Sequence, residues 1–218
     1  MPLARIVVSA VAFPTARNKV CSGKNFSTSC RLKRRRTSAE ILAMRPFSMT
    51  PDLVTEIPAI DQQHSELFNL ANEVVDVADR QLDPELFRLT LSFLVGYTVY
   101  HFAAEEAVMA VVGYDGRGYH ASVHARLRAE VADIVARVQQ QGPCEESKAD
   151  IVLLLEDWIM LHVREADRAL ARFVRAQAID VKTLTLPTIA SLKSCGAVPA
   201  DFDDRFVGGL AGLRREQS

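Results

Sequence analysis

The sequence predicts an all-α fold, an up-down-up-down four-helix bundle with a basic N-terminal extension and a C-terminal tail. Three observations predict it. Apolar residues recur at helical spacing through four long segments. Short turn-forming stretches separate those segments, and short connections make long helices antiparallel neighbours. All five histidines of the chain, His64, His101, His120, His124 and His162, fall within the four segments in an ordered pattern with two acids.

The first segment runs from about Asp61 to Arg80. Leu67, Phe68, Ala71, Val74, Val75 and Ala78 share one stripe with His64. Asp83-Pro84-Glu85 reads as a helix start: a capping Asp, Pro at the first position, an acid in the first turn. That second helix extends to about Val112 and stops at Gly113, where GYDGRG forms a loop. The third runs from about Gly118 to Gln141 and stops at Gly142-Pro143. Glu145 and Glu146 open the fourth, which continues through Trp158 and His162 to about Arg175.

The bundle so predicted spans residues 47–175. Residues 1–46 differ from it, with ten Lys or Arg and one acid, Glu40, ending in RLKRRR at Arg31 to Arg36. A targeting peptide and a basic nucleic-acid or import patch are two readings of this leader. A disordered segment is favoured over both, with Met44 and Met49 as alternative starts. Residues 176–218 form a tail whose helical pattern is broken by Pro187, Pro199 and Gly208-Gly209; a short helix or two fits there, with no chemistry evident.

Charge and cysteine usage exclude some functions. Residues 47–218 hold 16 basic and 26 acidic residues, a net of −10, which argues against a nucleic-acid surface. Cys21, Cys30, Cys144 and Cys195 are too far apart for a zinc knuckle or a redox dithiol, and read as free thiols of a cytoplasmic protein. No apolar run approaches the roughly 20 residues that cross a bilayer.

The chemistry lies in the histidine pattern. His101 and Glu105 are four apart, as are His120 and His124, so each pair points from one helix face. His162 and Asp167 are five apart, about 140° around an α-helix, and are expected to bracket the inward face from its two edges. Singly these motifs are weak: a lone His on an apolar stripe is usually a core residue, and HxxxE is a common surface pair. Jointly, five imidazoles and two carboxylates form a ligand set for a pair of transition-metal ions. The mixture of imidazole and carboxylate suits iron. Two bridging carboxylates and an oxo or hydroxo bridge, with imidazoles divided three and two, leave one iron closed and the other with an open position.

The ordered pattern H…HxxxE…HxxxH…HxxxxD resembles the hemerythrins, particularly the bacterial single-domain members. So do the local contexts: TPDLVTEIPAIDQQHSELF, HFAAEEAVM, GYDGRGYHASVH and DWIMLHVREAD. Met49 and Glu56 stand where the family usually has Trp and Gly. The resemblance implies a non-haem di-iron centre that binds dioxygen reversibly. One iron would be held by His120, His124 and His162, the other by His64 and His101, with Glu105 and Asp167 bridging. Dioxygen would bind at the two-histidine iron, with Trp158 and Ile159 beside the oxygen pocket. Ferritin-like oxygen-activating enzymes use more carboxylates and Glu-x-x-His pairs, which this chain lacks. Oxygen storage, delivery or supply therefore ranks first. An oxygen or redox sensor, or an interaction module signalling through the tail to a protein partner, ranks second. A di-iron enzyme handling peroxide or nitric oxide ranks third.

Overall fold

The computed structural model describes residues 47–217, apart from 80–83 and 143; for residues 78, 79, 145–148 and 157–159 it describes the backbone alone. The leader and the Asp83 cap lie outside the described residues. Among those described there is no strand, and no helix is long and apolar enough to cross a membrane.

Helix α1 spans Pro58–Asp79, α2 Pro84–Val111 and α3 Arg117–Gln141. The fourth helix is one continuous run in four parts: α4 (Glu145–Leu154), a π segment (Leu155–Met160), a second π segment (Val163–Asp167) and α5 (Arg168–Ala176). The tail adds a 3₁₀ turn (Val181–Thr183), α6 (Ile189–Ser194), a second 3₁₀ turn (Asp204–Gly208) and α7 (Gly209–Glu216).

Helix α1 starts three residues earlier than its apolar stripe suggests, because Asp61 acts backwards. Its carboxylate accepts from the Thr55 N–H and hydroxyl, both at 2.8 Å, and from the Glu56 N–H at 3.1 Å. The Ile57 N–H in turn donates to the Thr55 hydroxyl. This holds the chain entry tightly and puts Glu56 at φ +65°, a left-handed conformation that costs a non-glycine residue about 1–2 kcal/mol. Glu56, where the resemblance leads one to expect Gly, thus holds a backbone conformation that glycine adopts freely. Helix α2 ends as Gly113 predicts. Gly113 has φ +67°, the Tyr114 N–H donates to Met109 O at 2.9 Å, and the Gly113 N–H donates to Ala110 O at 3.3 Å, the double closure of a Schellman motif.

Among the described residues the apolar core is in two clusters with a polar layer between them. Leu67, Phe68, Phe93, Leu94, Ala104 and Val163 belong to the larger cluster; Ile57, Ile60, Met109 and Leu170 belong to the smaller. On each helix that spans both, one ligand-type residue falls between them: His64 after Ile60 and before Leu67, Glu105 between Ala104 and Met109, Asp167 between Val163 and Leu170.

The tail closes over α1 and α2. Its apolar residues Leu192, Val198, Phe202, Phe206 and Leu213 are buried in the larger cluster. Phe206 meets Phe93 edge-on at 5.3 Å and lies in a notch at Gly96, where a Cβ would come within 2.2 Å of the Phe206 ring. A glycine inside a 28-residue helix costs about 0.5–1 kcal/mol relative to alanine, and here it makes room for that ring.

Two outcomes follow for unfolding in denaturant. Gly96→Ala is expected to destabilise by about 1–3 kcal/mol through overpacking, and to cost clearly less when Phe206→Ala is already present, since only the Cβ of residue 206 then remains in the way. An equal cost in both backgrounds would separate the notch from the ring. Glu56→Gly is expected to raise stability by about 1 kcal/mol by relieving the left-handed strain.

Candidate metal centre

Four helices bring the seven predicted side chains together in the polar layer. His64 comes from α1, His101 and Glu105 from α2, His120 and His124 from α3. His162 and Asp167 come from the fourth helix, the first just before its second π segment and the second at that segment's end. All seven are 5% exposed or less, so none reaches bulk water.

The fourth helix departs from the splayed arrangement expected of an α-helix. Hydrogen bonding from i to i+5 in the π segment widens the turn by about one residue, so positions five apart come over one another. His162 Nε2 and Asp167 Oδ1 accordingly lie 3.0 Å apart, on one face rather than on two edges.

The donor atoms sort into two groups. His120, His124 and His162 converge through Nε2: the nitrogens of His124 and His162 are 3.1 Å apart and those of His120 and His162 3.4 Å. Together with one oxygen each from Glu105 and Asp167, they lie within 4.8 Å of one another. His64 and His101 form the second group, ring centroids 5.0 Å apart. The carboxylates lie between the groups. Asp167 Oδ1 is 3.0 Å from both His120 and His162, while its Oδ2 is 3.2 Å from His64. Glu105 Oε2 is 3.3 Å from His124 and 3.9 Å from His101.

These contacts leave polar atoms orphaned. Both oxygens of Glu105, both oxygens of Asp167 and both nitrogens of His64 are buried without a hydrogen-bond partner among the described residues. A buried polar group left unpaired costs about 1–3 kcal/mol. A cation at the convergence point would pair several of them at once. The spacing agrees: two imidazole nitrogens about 2.1 Å from one ion, at roughly 90–110° to each other, are about 3.0–3.4 Å apart. The cluster is therefore suited to a metal centre.

Electrostatics agree with the geometry. Burial alone would push the Asp167 carboxyl up, but His162, His120 and His64 against it hold it well below the usual carboxylate range. Burial and the Asp167 charge act the same way on Glu105, and His124 and His101 again outweigh them. Burial would lower His64 and His124, yet the facing carboxylates raise both above the ordinary imidazole value. His101 goes the other way: burial, helped by His64, pushes it down to about 3 against the pull of Glu105, so its ring is neutral.

Several surrounding residues escape a reading based on histidine spacing alone. The Nδ1–H of His101 donates to Gln63 Oε1 at 3.0 Å, which turns Nε2 toward the centre. The Nδ1–H of His124 donates to Glu106 Oε1 at 2.9 Å. Phe102 stacks on the His124 ring, centroids 4.0 Å apart and 13° from parallel. Gln63 and Glu106 each sit directly beside a ligand-type residue, in QQH and AEE, the one trace of them in the sequence. The side chains of Trp158 and Ile159 lie outside the described residues.

Residues 55–174 match the family model of the hemerythrin HHE cation binding domain. The chain is 31% identical over 125 residues to a bacteriohemerythrin of Stenotrophomonas maltophilia (strain R551-3), covering 57% of this chain and 79% of the relative. It is 30% identical over 124 residues to a bacteriohemerythrin of Pseudomonas aeruginosa (strain LESB58), covering 57% and 78%. A third, from Methylococcus capsulatus (strain ATCC 33009 / NCIMB 11132 / Bath), is 28% identical over 114 residues, covering 52% and 85%. With more than half its length matched by that family model, and a buried His, Glu and Asp cluster at its centre, the chain belongs to the hemerythrin family.

Proposed function

We propose that the centre holds two iron ions and binds dioxygen reversibly. His120, His124 and His162 would hold one iron, His64 and His101 the other, with Glu105 and Asp167 shared between them. The observation that carries this reading is the division of Asp167: one oxygen faces His120 and His162, the other faces His64. A single-metal site has no use for a carboxylate aimed at two groups of imidazoles. The balance of five imidazoles to two carboxylates is the ligand mixture that suits iron.

When bound, the iron pair supplies two electrons to a ligand and takes them back. The chain's own contribution is to keep that exchange reversible by excluding water and proton donors. Within the larger cluster lies a cavity of about 30 Å³ lined by Leu91, Leu94, Val95, Thr98, Leu127 and Leu155 among others, and by none of the seven ligand-type residues. Thr98 and Leu127 stand one turn from His101 and His124. The Thr98 hydroxyl is already engaged, donating to Leu94 O at 2.8 Å, so this wall offers little to an ion or a polar substrate. A small neutral gas fits it. Trp158 and Ile159, predicted beside the oxygen pocket, belong to the same proposal.

Two tests follow. The metal-free chain, loaded anaerobically with ferrous iron, is expected to hold two irons and to show a visible band in air that vanishes on degassing. His101→Ala is expected to keep about one iron and lose the band, and full iron with an unchanged band would remove His101 from the centre. Metal uptake is also expected to release protons at neutral pH. His64 and His124 are held above the ordinary imidazole value in the metal-free protein, and each must lose its proton to ligate. The rise in Tm on adding metal should therefore shrink as pH falls from 7.5 to 5, measured by calorimetry. A rise independent of pH would place the metal elsewhere.

A further inference from the structure

His124 is surrounded differently from every other histidine of the layer. Its Nδ1 side faces the Glu106 carboxylate at 2.9 Å, and Glu106 is held from behind by Arg128, Nη1 to Oε1 at 3.2 Å. The Phe102 ring covers the imidazole face at 4.0 Å, and the Arg128 guanidinium lies 5.6 Å from the centre of that ring. Glu106, Arg128 and Phe102 thus enclose the outer half of His124. Behind His101 there is a neutral amide instead, Gln63 Oε1 at 3.0 Å. The Nδ1 atoms of His64, His120 and His162 have no hydrogen-bond partner among the described residues.

A histidine that ligates through Nε2 carries its proton on Nδ1. An acceptor at Nδ1 fixes that tautomer and the ring's orientation, and a negatively charged acceptor also makes Nε2 a stronger donor. An amide does only the first. Glu106 is half-buried, with 32% of its side chain exposed, so its charge is only partly screened by water. Arg128 holds the carboxylate in place against the bundle.

Resting on the metal-centre reading above, we propose that Glu106, clamped by Arg128, is a positioning residue that fixes and charges His124. In consequence the three-histidine side of the centre fills with metal first and binds it more tightly than the two-histidine side.

The test is a calorimetric titration of the metal-free full-length chain with cobalt(II), followed in parallel by its visible absorption. The wild type is expected to bind in two steps of unequal affinity. Glu106→Gln keeps the acceptor and the shape but removes the charge. It is expected to weaken the first step about 10–100-fold, with the second step unchanged. Arg128→Gln, at a side chain that touches no ligand donor atom, is expected to weaken the same step less, and it serves if Glu106→Gln does not fold. Two steps in the wild type with the first unchanged in the variants would overturn the assignment to Glu106. Equal weakening of both steps would overturn it too, since that marks a general loosening. A wild type that binds no cobalt would instead count against the metal centre itself.

Discussion

The constraint on which the rest of this structure depends is the burial of two carboxylates and five imidazoles whose donor atoms face each other across 3–4 Å. Left to themselves these groups oppose folding. Each loses water, several find no hydrogen-bond partner among the described residues, and the two carboxylates repel in a medium of low dielectric. A single helix could not hold such a set. Four helices can, because each contributes one or two side chains and the separation is then set by helix packing rather than by flexible loops. The two apolar clusters above and below the layer supply the packing that fixes those helices. Stability is thus generated away from the site and used at it, the usual relation between a scaffold and a strained functional centre.

Which parts of this were readable beforehand depends on how local the signal is. His101 with Glu105, and His120 with His124, are read correctly as facing pairs because a four-residue spacing fixes direction on an α-helix. His162 and Asp167 are not, because their spacing conveys direction only if the helix type is known. The π segment at Val163–Asp167 is a tertiary outcome: Asp167 meets His120 and His64 from other helices, and those contacts favour the wider turn. Gln63 and Glu106 were hidden for another reason. A polar residue beside a ligand on an amphipathic helix usually reads as solvated surface, and only the neighbouring helix shows that Glu106 faces His124 across to α3.

The tail shows the same lesson in reverse. Its own sequence, broken by Pro187 and Pro199, says little. The signal lies in α2, where Phe87, Leu91, Phe93, Leu94, Val95, Tyr97 and Val99 leave no polar face. A helix that is apolar all round must be covered all round. Helices α1 and α3 and the fourth helix cover part of it; α6, the Phe206 turn and α7 cover the remainder. Gly96 was a second clue, a costly residue mid-helix whose purpose appears only with the Phe206 ring against it.

Coverage of α2 bears directly on the centre, since α2 supplies both His101 and Glu105, and with them one contact to each group of imidazoles. Glu66, two residues beyond His64 on α1, reaches the start of α7: the Leu210 N–H lies 3.4 Å from its carboxylate. Tyr97, one turn before His101, packs beneath the same place, where a Cβ on Gly209 would meet its ring at 3.4 Å. The tail therefore bears on α1 and α2 within one helical turn of His64 and His101, while α3 and its two histidines are braced by the fourth helix. The tail also reaches the other half of the centre: Ile179, Val181 and Leu184 pack against the smaller cluster, which holds Leu170 and Ala171 of the helix that carries His162 and Asp167. Both halves thus rest in part on the segment beyond residue 174, outside the stretch matched by the family model. A disturbance of the Phe206 turn and α7 should therefore be felt first at His64 and His101, the side of the centre with fewer imidazoles to hold a metal in place.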